Sequence, residues 1–294
     1  MQKIIPFLWF NEQAEEAANF YVSLFNHSSI GFVSRYAENS PGKKGSVMTM
    51  SFKINNQDFN VLNGGPYFSL NPSISLFVEC ETENEIDELW KKLSAKGSIL
   101  MEFSEYPFSK KFGWVQDEFG VSWQLSLTGG KQKIIPFFMF CGAQYGKAEE
   151  AMDFYTSLFQ ESKCIEIVRY TNDEDGKEGT VKLEKFMIEG QEFMAIDSSF
   201  NHPFTFNEAF SLFVNCESQE EIDQLWDKLT SDGGAPGRCG WLKDKFGVSW
   251  QIVPTALAKL LHANEGKKSK NVMQALMQMN KLDIQLLEQA SENE

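Results

Sequence analysis

The chain has no apolar run near the roughly 18–20 residues that a membrane-spanning helix needs. Its first residues, MQKIIPFLWFNEQAEE, lack the basic flank and long apolar core of a secretory signal. There are only three histidines, His27, His202 and His262. The five cysteines, Cys80, Cys141, Cys164, Cys216 and Cys239, are odd in number and show no C-x-x-C spacing. That pattern argues against a disulfide framework and against a Cys/His zinc cluster, and reads as reduced packing residues. Positive charge is also scarce: 27 Lys+Arg stand against 41 Asp+Glu, a formal net charge of −14. With no basic stripe to overcome that balance, neither nucleic acid nor an acidic membrane surface is an expected partner. The location these absences suggest is cytoplasmic.

What the chain does have is the composition of a packed protein. It is 294 residues long, 42% hydrophobic and 14% aromatic, with 26 Phe, which is enough for two domains with their own cores. Comparing the chain with itself shows an internal duplication. KIIPFLWF (3–10) returns as KIIPFFMF (133–140), and EEAANFYVSLF (15–25) returns as EEAMDFYTSLF (149–159). SLFVECETENEIDELW (75–90) returns as SLFVNCESQEEIDQLW (211–226), and GWVQDEFGVSWQ (113–124) as GWLKDKFGVSWQ (240–251). The offset drifts from 130 to 134, 136 and then 127, as expected when loops gain and lose residues. Thr128–Gly129–Gly130 is the natural linker, so the expected domains are 1–128 and 132–254, with a tail over 255–294.

Each repeat is read as α+β. Strand Ile4–Phe10 leads into an amphipathic helix whose Ala14, Ala17, Ala18, Tyr21 and Leu24 recur every three or four residues. Strands near Ile30–Tyr36, Val47–Ile54 and Asp58–Leu62 follow, with Asn55–Asn56–Gln57 as a hairpin turn. The order βαβββ then starts again with strand Ile74–Cys80, helix Glu83–Lys96, and strands near Ile99–Phe103, Gly113–Gln116 and Val121–Leu127. One repeat holds two βαβββ units and the chain four. The tail is read as helices over Ala256–Ala263, Val272–Asn280 and Asp283–Ala290, broken at 265–268, with Leu276, Met277, Met279, Leu282, Leu286 and Leu287 as an apolar face.

Paired βαβββ units, LNGGP (62–66), CGWLKDKFGVSWQIVP (239–254) and VMQALMQMNKLDI (272–284) resemble the PhnB-like branch of the vicinal-oxygen-chelate superfamily, the glyoxalase/bleomycin-resistance/dioxygenase fold. This branch also carries the label 3-demethylubiquinone-9 3-methyltransferase. The resemblance implies a cup-shaped sheet. In metal-using members it also implies a divalent ion held by a His on the first strand of a unit and a Glu four residues after the Gly of the last turn. Carried over position by position, the first-strand sites are Pro6 and Pro136, and the last-strand sites Gln124 and Gln251. The strand that opens the second unit offers Ser73 and Ala209. Proline has no donor atom and a neutral amide is a weak ligand, so no metal and no cofactor are expected.

The candidate ligand contacts are Gln124, Asn63, Trp114 and Arg35 in the first repeat and Gln251, Asp197, Trp241 and Arg169 in the second. Gln124 and Gln251 stand where a polar group in a concave site needs a partner. Strand alternation then turns Trp123 and Trp250 under a helix. Asn63 and Asp197 directly follow apolar strands and are expected at a cavity mouth. Arg35 and Arg169 can clamp an anion or pair with an acidic residue. Asp117 and Asp244, each three residues before a Gly, read as turn residues. The function these expectations describe is metal-free binding of a small molecule, with the two repeats forming an intramolecular pseudo-dimer. An isomerase, lyase or dioxygenase with an unrecognised metal site is the alternative. The methyltransferase label finds no glycine-rich turn followed by an acidic ribose ligand.

Overall fold

The computed structural model describes residues 2–38, 42–262 and 267–292. The chain forms two compact units, one of Met1–Ile5 with Ser211–Glu294 and one of Pro6–Phe210. Strand β1 (Ile4–Phe10) carries the backbone from the first into the second.

In the Pro6–Phe210 unit, β1 is followed by α1 (Ala14–Leu24), β2 (Ser29–Arg35), β3 (Val47–Ile54) and β4 (Gln57–Asn63). These strands lie in the order β1-β4-β3-β2, with β1 parallel to β4 and the β2–β3 and β3–β4 pairs antiparallel. Asn55 and Asn56 make the β3–β4 turn at φ 47° and 64°, a left-handed geometry that asparagine tolerates. The next group is β5 (Ile74–Cys80), α2 (Glu83–Ser94), β6 (Ser98–Tyr106), β7 (Ser109–Gln116) and β8 (Ser122–Leu127). Thr82 caps α2 by accepting from Glu85 N, the arrangement that satisfies a free N-terminal amide. The second repeat then opens with β9 (Lys133–Phe140), α3 (Ala148–Leu158), β10 (Lys163–Arg169), β11 (Val181–Ile188) and β12 (Gln191–Asp197).

β5 pairs with β8 on one side and, antiparallel, with β9 on the other. The result is one eight-stranded sheet in the order β10-β11-β12-β9-β5-β8-β7-β6. The sheet therefore combines the second half of the first repeat with the first half of the second, which is how the two repeats come to act as a pseudo-dimer within one chain. Its helix-side face is a dense core: Trp123 is fully buried, stacked on Phe25 and tilted against Tyr21 of α1. Gly113 makes room for the Trp90 ring of α2, since a Cβ there would lie 2.4 Å from it.

In the other unit, β13 (Phe210–Cys216), α4 (Gln219–Leu229), β14 (Ala235–Pro236), β15 (Trp241–Lys243) and β16 (Ser249–Pro254) repeat the β5–β8 pattern with a much shorter hairpin. β14 and β15 have 2 and 3 residues where β6 and β7 have 9 and 8. The N-terminus joins this unit through Asn215 N donating to Lys3 O at 2.9 Å. The tail forms α5 (Thr255–His262), α6 (Lys267–Gln278) and α7 (Ile284–Glu292). Asp283 caps α7 by accepting from Leu286 N. Lys267 and Lys268, expected in a break, begin α6 instead, as suits a good helix former. Ala263 and the Glu265–Gly266 part of the break lie outside the described residues. No described helix is long and apolar enough to cross a membrane.

Candidate functional site

Gln124 sits near the middle of β8, between Phe77 of β5 and Trp114 of β7 in register. Side chains alternate along each strand, so Gln124 shares the face opposite the Trp123 core with Ser75, Phe77, Phe112, Trp114, Ser122 and Ser126. β9 and β12 add Ile135, Phe137 and Met194, which form a buried cluster with Phe77, Leu183 and Ile196 packed on it. Phe77 lies stacked on Phe137 at 6.1 Å and tilted to Phe112 at 6.5 Å.

The polar groups around Gln124 are neutral and mutually bonded. Gln124 Nε2 donates to Ser75 Oγ at 2.7 Å, Trp114 Nε1 donates to Ser122 Oγ at 2.7 Å, and the Ser126 and Ser109 hydroxyls lie 3.0 Å apart. Farther out on the face, Glu79 and Lys185 stand in register with Ser126 and Met194 and pair with each other, Lys185 Nζ lying 3.9 Å from Glu79. The residues of β9 that share this face include Ile135 and Phe137, because Pro136 between them pairs with Leu76 on the helix side. The β9 residue in the Gln124–Phe77 row is thus Ile135, with Phe137 in the Ser75 row, and Pro136, the counterpart of a first-strand metal ligand, points the other way. A divalent cation prefers anionic or imidazole donors, whereas an amide already donating to a hydroxyl, amid serines and aromatics, does not fit one. Among the described residues no group of three or more His, Cys, Asp or Glu is placed to hold a metal.

The structure brings Gln124 and Trp114 together but gives Asn63 and Arg35 other work. Asn63 is buried, accepts from Ala14 N at 2.8 Å and donates to Val47 O at 2.9 Å. It caps α1 from a strand 49 positions away, which compensates for the absence of a side-chain cap from Gln13. Asp197 does the same for α3: its Oδ1 accepts from Gly146 N and Ala148 N, and its Oδ2 from Val181 N. A carboxylate at a helix N-terminus is favoured by the dipole. The expected cavity-mouth positions are therefore helix caps. Arg35 is exposed and forks onto Glu15, as Arg169 does onto Glu149, and each holds its Glu below the usual carboxylate range through that hydrogen bond. The arginines end their strands as ion pairs.

Gln251 repeats the Gln124 arrangement in the other unit: it donates to Ser211 Oγ at 3.0 Å and stands opposite Trp241 in register. Asp197 and Arg169 belong to the Pro6–Phe210 unit. Asp117 makes the turn before β8, accepting from Phe119 N and Val121 N through Oδ1 and from Tyr21 OH and Trp123 Nε1 through Oδ2. Burial pushes its pKa up to about 6 against the pull of these four donors. Asp244 accepts from Phe246 N, Val248 N and Trp250 Nε1 in the same way. Sequence reasoning missed Ser75, Phe77 and Phe137. The signal was present in SLFV, which both repeats carry with Ser and Phe two apart on one strand face.

The arrangement of paired βαβββ units is that of glyoxalase I. Glyoxalase I from Zea mays matches 90% of this chain and 96% of its own at a TM-score of 0.55 and 10% identity. Its E144Q mutant matches 89% and 96% at 0.56 and 10%. At that identity the likeness is one of fold. The chain belongs to the 3-demethylubiquinone-9 3-methyltransferase family, whose model matches residues 2–126 and again 132–253. A PhnB protein from Bacillus cereus is 52% identical over 43% of this chain and all of its own, with a TM-score of 0.42. No curated protein matches the chain.

Proposed function

We propose that this protein binds a small organic molecule without a metal, and that the ligand lies on the Gln124 face. The observation that carries this reading is the neutral Gln124–Ser75 pair set among Phe77, Phe112, Phe137 and Trp114. An apolar lining with a few convergent hydrogen-bonding groups is what small-molecule pockets usually present. Gln124 can turn its amide from Ser75 to a ligand carbonyl or hydroxyl at little net cost, because one hydrogen bond replaces another. With Glu79 and Lys185 paired to each other, the face disfavours a ligand with a net charge, whose desolvation nothing there would offset.

Thermal-shift screening of the purified chain tests it, using divalent metals, S-adenosylmethionine and uncharged aromatic metabolites. A ligand at 100 times its dissociation constant raises stability by about 2.7 kcal/mol. The expected result is a shift with an aromatic compound that Gln124→Leu removes and Gln251→Leu leaves in place. One equivalent of a divalent metal surviving dialysis would replace this reading with that of a metal-dependent isomerase, lyase or dioxygenase. A shift with S-adenosylmethionine would favour a methyltransferase.

A further inference from the structure

The Gln124 and Gln251 faces, equivalent by sequence, are covered by different parts of the chain. On the Gln251 face the cover is the tail. Phe213, which pairs with Gln251 in register, and Val253, two residues beyond it, pack with Leu257, Val272, Leu276, Leu282 and Leu287. The backbone of the tail is fastened as well: Cys239 N donates to Met279 O and Gly240 N to Asn280 O, both at 2.8 Å. Gln219 both donates to Leu282 O and accepts from Ile284 N, and Lys281 pairs with Asp223 and Asp227.

On the Gln124 face the cover is the tip of the β6–β7 hairpin. Phe112 meets Phe77, and Tyr106 and Phe108 lean on Phe112. Among the described residues, the side-chain hydrogen bond joining this tip to the face is the one Ser126 Oγ donates to Ser109 Oγ. The ladder behind the tip breaks register three times, between Ile99 and Met101, Met101 and Ser104, and Ser104 and Tyr106. Phe108 is 67% exposed. The sequence records the difference at one position: Ser126 of the first repeat is Val253 in the second, apolar where the tail lies on it.

We propose that the chain holds one ligand site rather than two. The site is the Gln124 face, entered by lifting the hairpin tip at 104–109, and its ligand is an uncharged planar aromatic compound carrying a hydroxyl or carbonyl group for Gln124. The Gln251 face is closed by the tail as a standing occupant. This inference rests on the ligand-binding reading above. A cover held by one hydroxyl pair and ring edges opens locally, while one held by a buried aliphatic cluster and backbone hydrogen bonds opens only with its unit.

Single variants Ser126→Cys and Val253→Cys in the full chain place a small thiol at the same position on each face. Alkylation by iodoacetamide is followed peptide by peptide in a mass spectrometer, with exposed Cys164 and buried Cys80 and Cys216 as internal references. Cys at 126 should react at least ~10-fold faster than Cys at 253, the signature of local against unit-wide opening. Excess 2-naphthol, an uncharged planar probe, should slow the reaction at 126 and leave 253 unchanged. Equal rates, or a faster reaction at 253, would overturn the one-sided arrangement even where naphthol binds. Asymmetric labelling with no naphthol protection would overturn the ligand assignment and leave the closure by the tail standing.

Discussion

The Gln124 and Gln251 faces begin from nearly the same residues, SWQ on the last strand and SLF on its neighbour, yet end in different surroundings. In the first repeat the chain between helix and last hairpin is long enough for β6 and β7. In the second the offset falls from 136 at Trp226 to 127 at Trp241, so nine residues are missing there. The backbone of the tail fills part of that gap, running past Cys239 and Gly240. Duplicated domains can thus share a core grammar and differ in what is laid over it. The helix-side residues Trp123 and Trp250 are fully buried in both repeats, whereas the opposite face is free to diverge.

The sharpest test of that contrast is to break each cover. Leu282 is fully buried in the tail cluster, and Leu282→Asp should lower the stability of its unit by about 4 kcal/mol, through lost apolar burial and a carboxylate without a partner. Phe108→Ser in the hairpin tip should change the unfolding free energy by less than about 0.5 kcal/mol. Denaturant unfolding followed by circular dichroism separates the two.

What the two repeats share is probed at Asp117. Asp117→Asn replaces an oxygen that accepts from both Tyr21 and Trp123 with a group that cannot, or forces a flip that strands the turn amides. The expected loss is about 3 kcal/mol, read from the same unfolding curves.

A further difference between the repeats gives a pH signature. Glu184 of β11 occupies the position that Met50 holds in β3. It is buried, and its Oε2 finds no donor among the described residues. Burial first, and then repulsion from Asp153 and Glu149, push its pKa up to about 7. Because the folded state keeps this proton to higher pH than the unfolded chain, stability should be full below about pH 4.5 and fall as pH rises toward 7, by an amount on the order of 2 kcal/mol. Glu184→Gln should flatten the melting temperature between pH 5 and 8 relative to the natural protein. An unchanged slope would place the carboxylate in water.

Smaller effects belong to the caps and the ion pairs. Asn63→Ala should cost about 1–2 kcal/mol through the lost α1 cap, measured by thermal unfolding. Arg35→Ala, at an exposed pair, should leave the melting temperature unchanged.

Much of this was readable from the chain alone. The duplication, the turn role of Asp117 and the opposite facing of Trp123 and Gln124 all follow from local spacing, since alternation fixes a face wherever a strand is identified. The partner of β5 did not follow. An apolar period of two says which face is buried but not which strand lies alongside, so the pairing with β9, and with it Phe137 on the Gln124 face, needed the fold. Asn63 and Asp197 were misplaced for a related reason. An Asn after a strand looks like a loop residue, and the helix amide it caps is far away in sequence. The tail was legible as an apolar face, but the surface that face covers was not.

The division of the chain also has a consequence in time. The Pro6–Phe210 unit is made of consecutive residues and can fold as it leaves the ribosome, since domains form as units during synthesis. The other unit needs residues 1–5 together with residues 211–294, which are made only after the whole Pro6–Phe210 unit. The Asn215–Lys3 hydrogen bond and the Lys3–Glu221 ion pair are therefore among the most sequence-distant contacts in the molecule. Such contacts form slowly because a long loop must close before they stabilise anything. Residues 1–5 emerge before residues 211–294 and must wait for them to reach their place, and the arrival of the tail marks the earliest moment at which the Gln251 face can be covered.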